Sequence, residues 1–354
     1  MNILWDFRLF SHGYRDRGVG VFATRMAKAI LDADFKANIF IWGKKEDAPE
    51  EMHTWPVRWI PYKPRSWKSD LLVIPMLIIK YRIDIFHYWV ALGPVFRIGL
   101  GLFHPCKTCL VVHDCGVLLW DDVPQCLTVR KTWYWKTQRY LFGKANSVVC
   151  ISHATLSDVK RLFKCGPPAK RVIYVPLHGD FPKGASIREK RFVMVSGPYH
   201  KNAKNVLKAF EFFKQKHPEY KLSVYGDCLP EGITLDEGAG GVRVESMNGY
   251  DEGLATSSGL LFCSFHEGLG LPPLEAMAHG CPLVLSDLPV LHETCGDAGF
   301  YVDPRNIPSI LHGMEDLACN QDLWTQKSWN GGVRYRGMSE NAGKEWLTLY
   351  NGLA

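Results

Sequence analysis

Two carboxylates, Glu267 and Glu275, stand eight residues apart in the run from Ser264 to Pro289, with a Gly-Leu-Gly-Leu-Pro-Pro turn between them. On one unbroken helix that spacing would rotate the two side chains roughly 80° apart, but Pro272 and Pro273 forbid a continuous helix across Gly268 to Leu271. The pattern predicts instead a helix beginning near Pro273, with Glu275 inside its first turn and Gly280 and Pro282 at its end. Free amides of such a start would face the Gly268, Leu269, Gly270, Leu271 loop, whose glycines let backbone approach a ligand. A phosphate or diphosphate suits that loop, and the carboxylates on either side could accept hydrogen bonds from hydroxyls. A sugar diphosphonucleoside offers both groups; a surface turn carrying two solvated acids is the plain alternative.

Other chemistry-bearing residues follow short apolar runs. The runs Ile83 to His87 and Thr108 to Val112 read as strands ending at His87 and at His113 with Asp114. Ligands collect outside the carboxyl ends of strands in an open parallel sheet, which makes strand-terminal histidines site candidates, with local strand capping as the alternative. A further strand, Phe192 to Ser196, leads through His200, Lys201 and Asn202 into a helix reaching Phe213. A lysine at a helix start opposes the helix dipole unless an anion is present, so Lys201 reads as a phosphate ligand more readily than as a solvated charge.

Near the beginning, Gly18, Val19 and Gly20 with Ala23 form G-x-G-x-x-A. A dinucleotide fingerprint needs its glycines directly after the strand and an acid closing the second strand. Here the loop Arg8 to Arg17 intervenes, and the second strand, Asn38 to Trp42, ends in Gly43, Lys44 and Lys45. The glycines then suit an anion or a sugar, or simply a tight turn before a packed helix.

Composition narrows the class. At 354 residues the chain exceeds the usual ceiling for one core, and strand-like runs alternating with helix-like ones predict an α/β protein of two parallel sheets. The longest apolar run, Leu71 to Ile79, is about half of a membrane span, and a strand-like Asn2 to Phe7 stands where a leader would. Eleven cysteines point to reduced thiols and a cytoplasmic setting, and the single C-x2-C at Cys106 and Cys109 has no second pair to complete a zinc site. Residues 1 to 178 carry 26 Lys+Arg against 14 Asp+Glu, net +12, and residues 179 to 354 carry 16 against 22, net −6. The basic half includes two aromatic stretches, Trp55 to Ser69 with Arg65, Trp67 and Lys68, and Thr128 to Lys144, which suit contact with an acidic membrane surface, a solvated proline-rich loop being an equal alternative for the first. Trp55 to Ser69 shows neither helical nor strand regularity. No nucleic-acid reading module is recognisable, so nucleic acid is not expected as a partner.

The run EGLGLPPLEAMAHGCPLVLSDLPVLHETCGDAGFYVDP resembles the E-x7-E region of the retaining family-4 glycosyltransferases (glycosyl transferases group 1), which have the GT-B fold. The glycine loop, the His113–Asp114 pair, the Val175–Pro176 turn and the Lys201–Asn202 helix start come in that family's order. The resemblance implies two Rossmann-like domains with parallel sheets facing across a deep cleft. They would be an acceptor-side domain over 1–180 joined by the C-terminal helix 339–354, a linker over 181–190, and a nucleotide-sugar domain over 191–338.

It further implies metal-independent transfer of a hexose, with retention, from a UDP-glucose-type or GDP-mannose-type donor to a saccharide or lipid-linked acceptor. No cofactor is implied beyond that donor. The catalytic residues would be Glu267, His113 and Lys201. The donor would meet Gly18, Val19, Gly20, His200, Gly268, Leu269, Gly270, Leu271 and Glu275, with His87 and Asp114 touching acceptor or sugar. Glu267 would face Gly18 to Gly20 and His113 over the sugar. The family's second basic diphosphate contact is missing, since Pro198 and His200 occupy its candidate positions. The implied setting is O-antigen, lipopolysaccharide or capsule synthesis at the cytoplasmic face of the inner membrane. A sugar-nucleotide epimerase of the same fold and a non-catalytic sugar-nucleotide-binding scaffold are the alternatives.

Overall fold

The computed structural model describes residues 1–63, 67–90, 106–119, 142–163, 169–176, 188–226, 241–338 and 341–354. Arg65, most of Thr128 to Lys144, Leu177 to Asp180 and most of the expected linker lie outside them. The chain forms two compact units, Met1–Pro176 with Ser339–Ala354, and Leu177–Met338.

Unit 1 is built on a parallel sheet of β1 (Asn2–Asp6), β2 (Asn38–Gly43), β3 (Arg58–Pro61), β4 (Ile85–Tyr88), β5 (Lys107–Val112), β6 (Ser147–Cys150) and β7 (Ala169–Val172). Its order is β3-β2-β1-β4-β5-β6-β7. The inner strands are buried almost end to end, as expected where both faces of a sheet are covered, and they read in sequence as unbroken apolar runs. Its described helices include α1 (Gly18–Asp32), α2 (Trp67–Tyr81), the short α3 (Gly116–Leu119) and α4 (His153–Leu162). Ser152 caps α4 by accepting the Thr155 amide at 3.0 Å, the role its position after β6 predicts.

Two elements depart from the sequence reading. The stretch expected to be irregular, Trp55 to Ser69, contains β3 and the first turn of α2. A four-residue edge strand ending in proline has too little alternation to stand out, and Pro75 inside α2 interrupts the helical period. Likewise β4 continues past His87, pairing His87 with Trp5 and Cys109 and Tyr88 with Asp6 and Leu110.

Unit 2 has a second parallel sheet, ordered β10-β9-β8-β11-β12-β13. Its strands are β8 (Glu189–Val195), β9 (Lys221–Tyr225), β10 (Val242–Glu245), β11 (Ser257–Phe262), β12 (Leu283–Ser286) and β13 (Gly299–Val302). The helices are α5 (Ala203–Lys216), α6 (Tyr250–Thr256), α7 (Leu271–Ala278), α8 (Pro289–Cys295), α9 (Ile307–Cys319) and α10 (Gln321–Gly337). Asn306 and Asn320 cap α9 and α10 through their side-chain oxygens. The core joins Phe192, Phe210, Phe213, Leu222, Val284 and Met314.

The last helix, α11 (Ala342–Leu353), belongs to unit 1 and packs on α1. A Cβ at Gly343 would stand 2.2 Å from the Ala29 carbonyl oxygen, so only glycine permits this approach. Trp346 and Tyr350 are wholly buried, and the Trp5 indole donates to the Tyr350 hydroxyl at 3.1 Å.

Candidate functional site

Each sheet has one place where strand order reverses, and the carboxyl ends of the flanking strands open a crevice there. In unit 2 that place lies between β8 and β11. The segment after β8 carries His200 and Lys201, and the segment after β11 carries Ser264 to Gly270. The two segments are stitched together: the Phe265 amide donates to the His200 carbonyl at 2.8 Å, and the Asn202 side-chain amide donates to the Cys263 carbonyl at 2.8 Å and the Pro304 carbonyl at 2.7 Å. Asn202 holds a left-handed backbone, φ 58°, which turns the chain from the Lys201 turn into α5.

The stitching brings together two residues singled out separately from sequence. Lys201 Nζ lies 2.7 Å from Glu267 Oε1, with only 18% and 10% of the side chains exposed. The ammonium also sits 4.9 Å above the Phe262 ring. Burial would raise the Glu267 carboxyl, yet the charges of Lys201 and His200 and the Lys201 hydrogen bond outweigh it and hold the carboxyl below its ordinary range. Glu267 is therefore an anion at neutral pH, able to accept hydroxyl hydrogen bonds and unsuited to serve as an acid.

Beyond Glu267 the chain turns at Gly270, φ 87°, where a Cβ would meet Leu291 Cδ2 at 2.8 Å. Helix α7 then begins at Leu271, two residues before the expected start, with both prolines in its first turn. This corrects two expectations. Glu275 lies in the second turn of α7, and Pro272 and Pro273 have no N–H, so the anion-facing donors of this helix start reduce to the amides of Gly270 and Leu271. Leu269 is buried, 3% exposed. Glu275 is partly buried, and its charge, after burial itself, helps raise the hydroxyl of Tyr250, whose ring opens α6. Sequence reading missed Tyr250 and Phe262, which look there like ordinary core aromatics.

In unit 1 the order reverses between β1 and β4. Gly18 and Val19 form the accessible start of α1, and Gly20 is buried where a Cβ would stand 2.0 Å from the Tyr14 carbonyl oxygen. The close approach that requires glycine at 20 is thus to the chain's own loop. His113 follows β5, with Nε2 2.8 Å from the Trp89 carbonyl and its ring edge-on to Phe22 of α1 at 4.9 Å. Burial lowers its pKa despite that hydrogen bond and the nearby Asp114, which makes it a neutral imidazole with Nε2–H donating to Trp89 and Nδ1 left as an acceptor. Asp114 accepts the Gly116 amide at 2.8 Å and so caps α3.

His87 is not placed to touch sugar or acceptor. It is 0% exposed, stacked on Trp346 at 4.7 Å and against Trp89 at 4.1 Å, with Nδ1 2.5 Å from the Tyr350 hydroxyl. The C-terminal helix covers it. Among the described residues, no group of three or more His, Cys, Asp or Glu side chains is arranged to hold a metal. Cys109 of the C-x2-C pair is buried inside β5.

A family profile described as Glycosyltransferase Family 4 matches residues 17–177, and one described as Glycosyl transferases group 1 matches residues 189–320. Over 256 residues, 66% of this chain and 70% of the relative, the sequence is 22% identical to an O-antigen chain mannosyltransferase of Salmonella typhimurium. A solved sucrose-phosphate synthase from Thermosynechococcus elongatus superposes with a TM-score of 0.75 at 17% identity, covering 100% of this chain and 99% of that one. Anabaena HepE, solved with UDP and glucose, gives 0.74 at 15% identity, covering 99% of each chain. With two doubly wound units, both profiles matched in order and these structural likenesses, the chain belongs to the family-4 glycosyltransferases (glycosyl transferases group 1) and has the GT-B fold.

Proposed function

We propose that this glycosyltransferase moves a hexose from a nucleotide diphosphate sugar to an acceptor hydroxyl with retention of anomeric configuration and without a metal. The observation that carries the reading is the buried Lys201–Glu267 pair beside the Gly270–Leu271 amides at the reversal point of unit 2. One cation, two backbone donors and two carboxylates match a diphosphate flanked by hydroxyl-bearing rings. Lys201 and the amides of Gly270 and Leu271 offset the charge that grows on the leaving diphosphate, Glu275 holds the ribose hydroxyls, and Glu267 accepts from the sugar hydroxyls. His200 supplies the remaining positive character. His113, as an acceptor through Nδ1, and the Gly18–Gly20 start of α1 serve the transferred sugar, with Asp114 nearby in sequence as a further contact. The bond from the anomeric carbon to the β-phosphate oxygen breaks, the bond to the acceptor oxygen forms on the same face, and the acceptor proton passes to the leaving phosphate.

Mannose from a GDP-mannose-type donor is the leading assignment, supported by the name of the Salmonella relative, and the product belongs to O-antigen or a related envelope polysaccharide made at the cytoplasmic membrane face. A UDP-glucose-type donor is the second reading, supported by the ligands of Anabaena HepE. Incubation with GDP-mannose or UDP-glucose and a lipid-linked acceptor extract tests both. The expected result is nucleoside diphosphate release that persists in EDTA and an α-linked product from the α-linked donor. A strict divalent-metal requirement or an inverted linkage overturns the proposal.

A further inference from the structure

We infer that Trp89 is a positioning residue for His113: its carbonyl fixes which imidazole nitrogen is left for the sugar, and the C-terminal helix α11 holds Trp89 in place through Trp346. This role rests on the proposed contact of His113 with the transferred sugar and adds the residues that keep that contact competent.

A neutral imidazole offers one nitrogen as acceptor only while the proton on the other is tied elsewhere. In His113 the tie is Nε2–H donating to the Trp89 carbonyl at 2.8 Å. The Thr155 hydroxyl donates to the His113 carbonyl at 3.3 Å and holds the main chain, and the Phe22 ring lies edge-on to the imidazole at 4.9 Å. Neither contact distinguishes the two ring nitrogens. With the Trp89 carbonyl displaced, the Nδ1–H tautomer competes, and Nδ1 changes from an acceptor of a sugar hydroxyl to a donor.

Trp89 is the first residue past β4, whose pairing with β1 and β5 ends at Tyr88. Its place is set by its side chain. The indole is 0% exposed and lies against Trp5 at 5.8 Å, Phe7 at 5.5 Å and His87 at 4.1 Å. Trp346 of α11 completes the cluster, 5.8 Å from Trp89 and stacked on His87 at 4.7 Å. Among the described residues neither the Trp89 nor the Trp346 indole N–H has a protein acceptor, so ring shape rather than hydrogen bonding locates the two indoles.

The same helix backs the other contact of the imidazole. Helix α11 packs on α1, which carries Phe22, at the close approach of Gly343 to the Ala29 carbonyl oxygen. Both the carbonyl and the ring that hold His113 are thus braced by the last helix of unit 1.

Trp346→Leu and Trp89→Leu test this role, and Trp346→Phe is the conservative variant. Phe40→Leu controls for lost stability, since Phe40 lies in the core on the other face of the sheet from Trp5. Ring 15N shifts of histidine-labelled protein, with the His113 signals identified by their absence in His113→Gln, report the tautomer. Release of nucleoside diphosphate from the donor that the wild type turns over reports the chemistry. In the wild type Nε2 should carry the proton. Both leucine variants should mix the tautomers, drawing the two nitrogen shifts together, and lower kcat about ten- to a hundredfold with the donor KM unchanged, the scale of a slightly misplaced group at the reacting centre. Trp346→Phe should recover most of both readouts, and Phe40→Leu should lower the melting temperature while changing neither. Unmixed tautomers and wild-type kcat in either folded leucine variant overturn the inference, as does an equal loss of kcat in Phe40→Leu. Wild-type turnover in His113→Gln overturns the contact of His113 with the sugar, and this role with it.

Discussion

Replacing Lys201 with methionine separates its observed contact with Glu267 from its proposed contact with the donor. The side chains are 2.7 Å apart and 18% and 10% exposed. Removing the cation leaves a mostly buried carboxylate without its main partner, a loss of about 3–5 kcal/mol for a fully buried pair, and partial exposure places this one near the lower end. At about 2–4 °C per kcal/mol for a unit of this size, the melting transition of unit 2 should fall by roughly 10 °C. Its pH dependence should also invert. In the wild type the Glu267 carboxyl lies below its ordinary range, so its contribution is present above that range and is lost as pH falls through the folded pKa. With burial acting largely alone the carboxyl rises instead, and stability falls as pH rises through it. Adding Glu267→Gln removes the stranded charge, and the double variant should regain most of the lost melting temperature. Turnover should not recover: nucleoside diphosphate release should stay down by about 10²–10³-fold in both variants, the scale of losing one preorganised donor to developing charge. Calorimetric melts and a coupled release assay on the four proteins of the cycle decide the matter. If the double variant regained both stability and turnover, the pair would be structural and the catalytic reasoning refuted.

Two further outcomes concern unit 1. Burial holds the His87 pKa down at about 3, so the unfolded chain binds its proton more tightly than the folded one; stability is full above about pH 6.5 and falls as pH drops toward 3, by up to about 4–5 kcal/mol across that window. His87→Phe should flatten the melting temperature between pH 7 and pH 4, and an unchanged slope would contradict the burial. Gly343→Ala places a methyl group 2.2 Å from the Ala29 carbonyl oxygen and should cost about 1–3 kcal/mol, read as a lower melting temperature; no change would contradict the contact of α11 with α1.

What was legible in the sequence was what local rules decide. The apolar runs of β1, β6 and β11 mark a covered parallel sheet, Ser152 announces a cap, and Pro272 with Pro273 breaks the run between Glu267 and Glu275. The same prolines also removed the donors that a helix start would otherwise offer, a consequence that a search for anion sites passes over. His87 looked terminal because His rarely sits inside a core strand. Its hydrogen-bond partner, Tyr350, lies 263 residues away on the last helix, and no local pattern carries that pairing. Lys201 and Glu267 were each legible as isolated charges, but their contact across 66 residues is set by the reversal of strand order between β8 and β11. Helix α2 escaped notice for the opposite reason: Pro75 obscures a period whose outward face is apolar.

Titration calorimetry with GDP and UDP tests most directly whether the Lys201–Glu267 end of unit 2 binds the donor diphosphate, as proposed. The wild type should bind one of the two, GDP being the leading assignment. Loss of a charge-assisted contact worth about 1.5–3 kcal/mol should weaken that binding by roughly ten- to a hundredfold in Lys201→Met. The double variant with Glu267→Gln should be weakened as much, since its stability is restored and its cation is not. Nucleoside diphosphate binding of equal affinity in all three proteins would contradict the account.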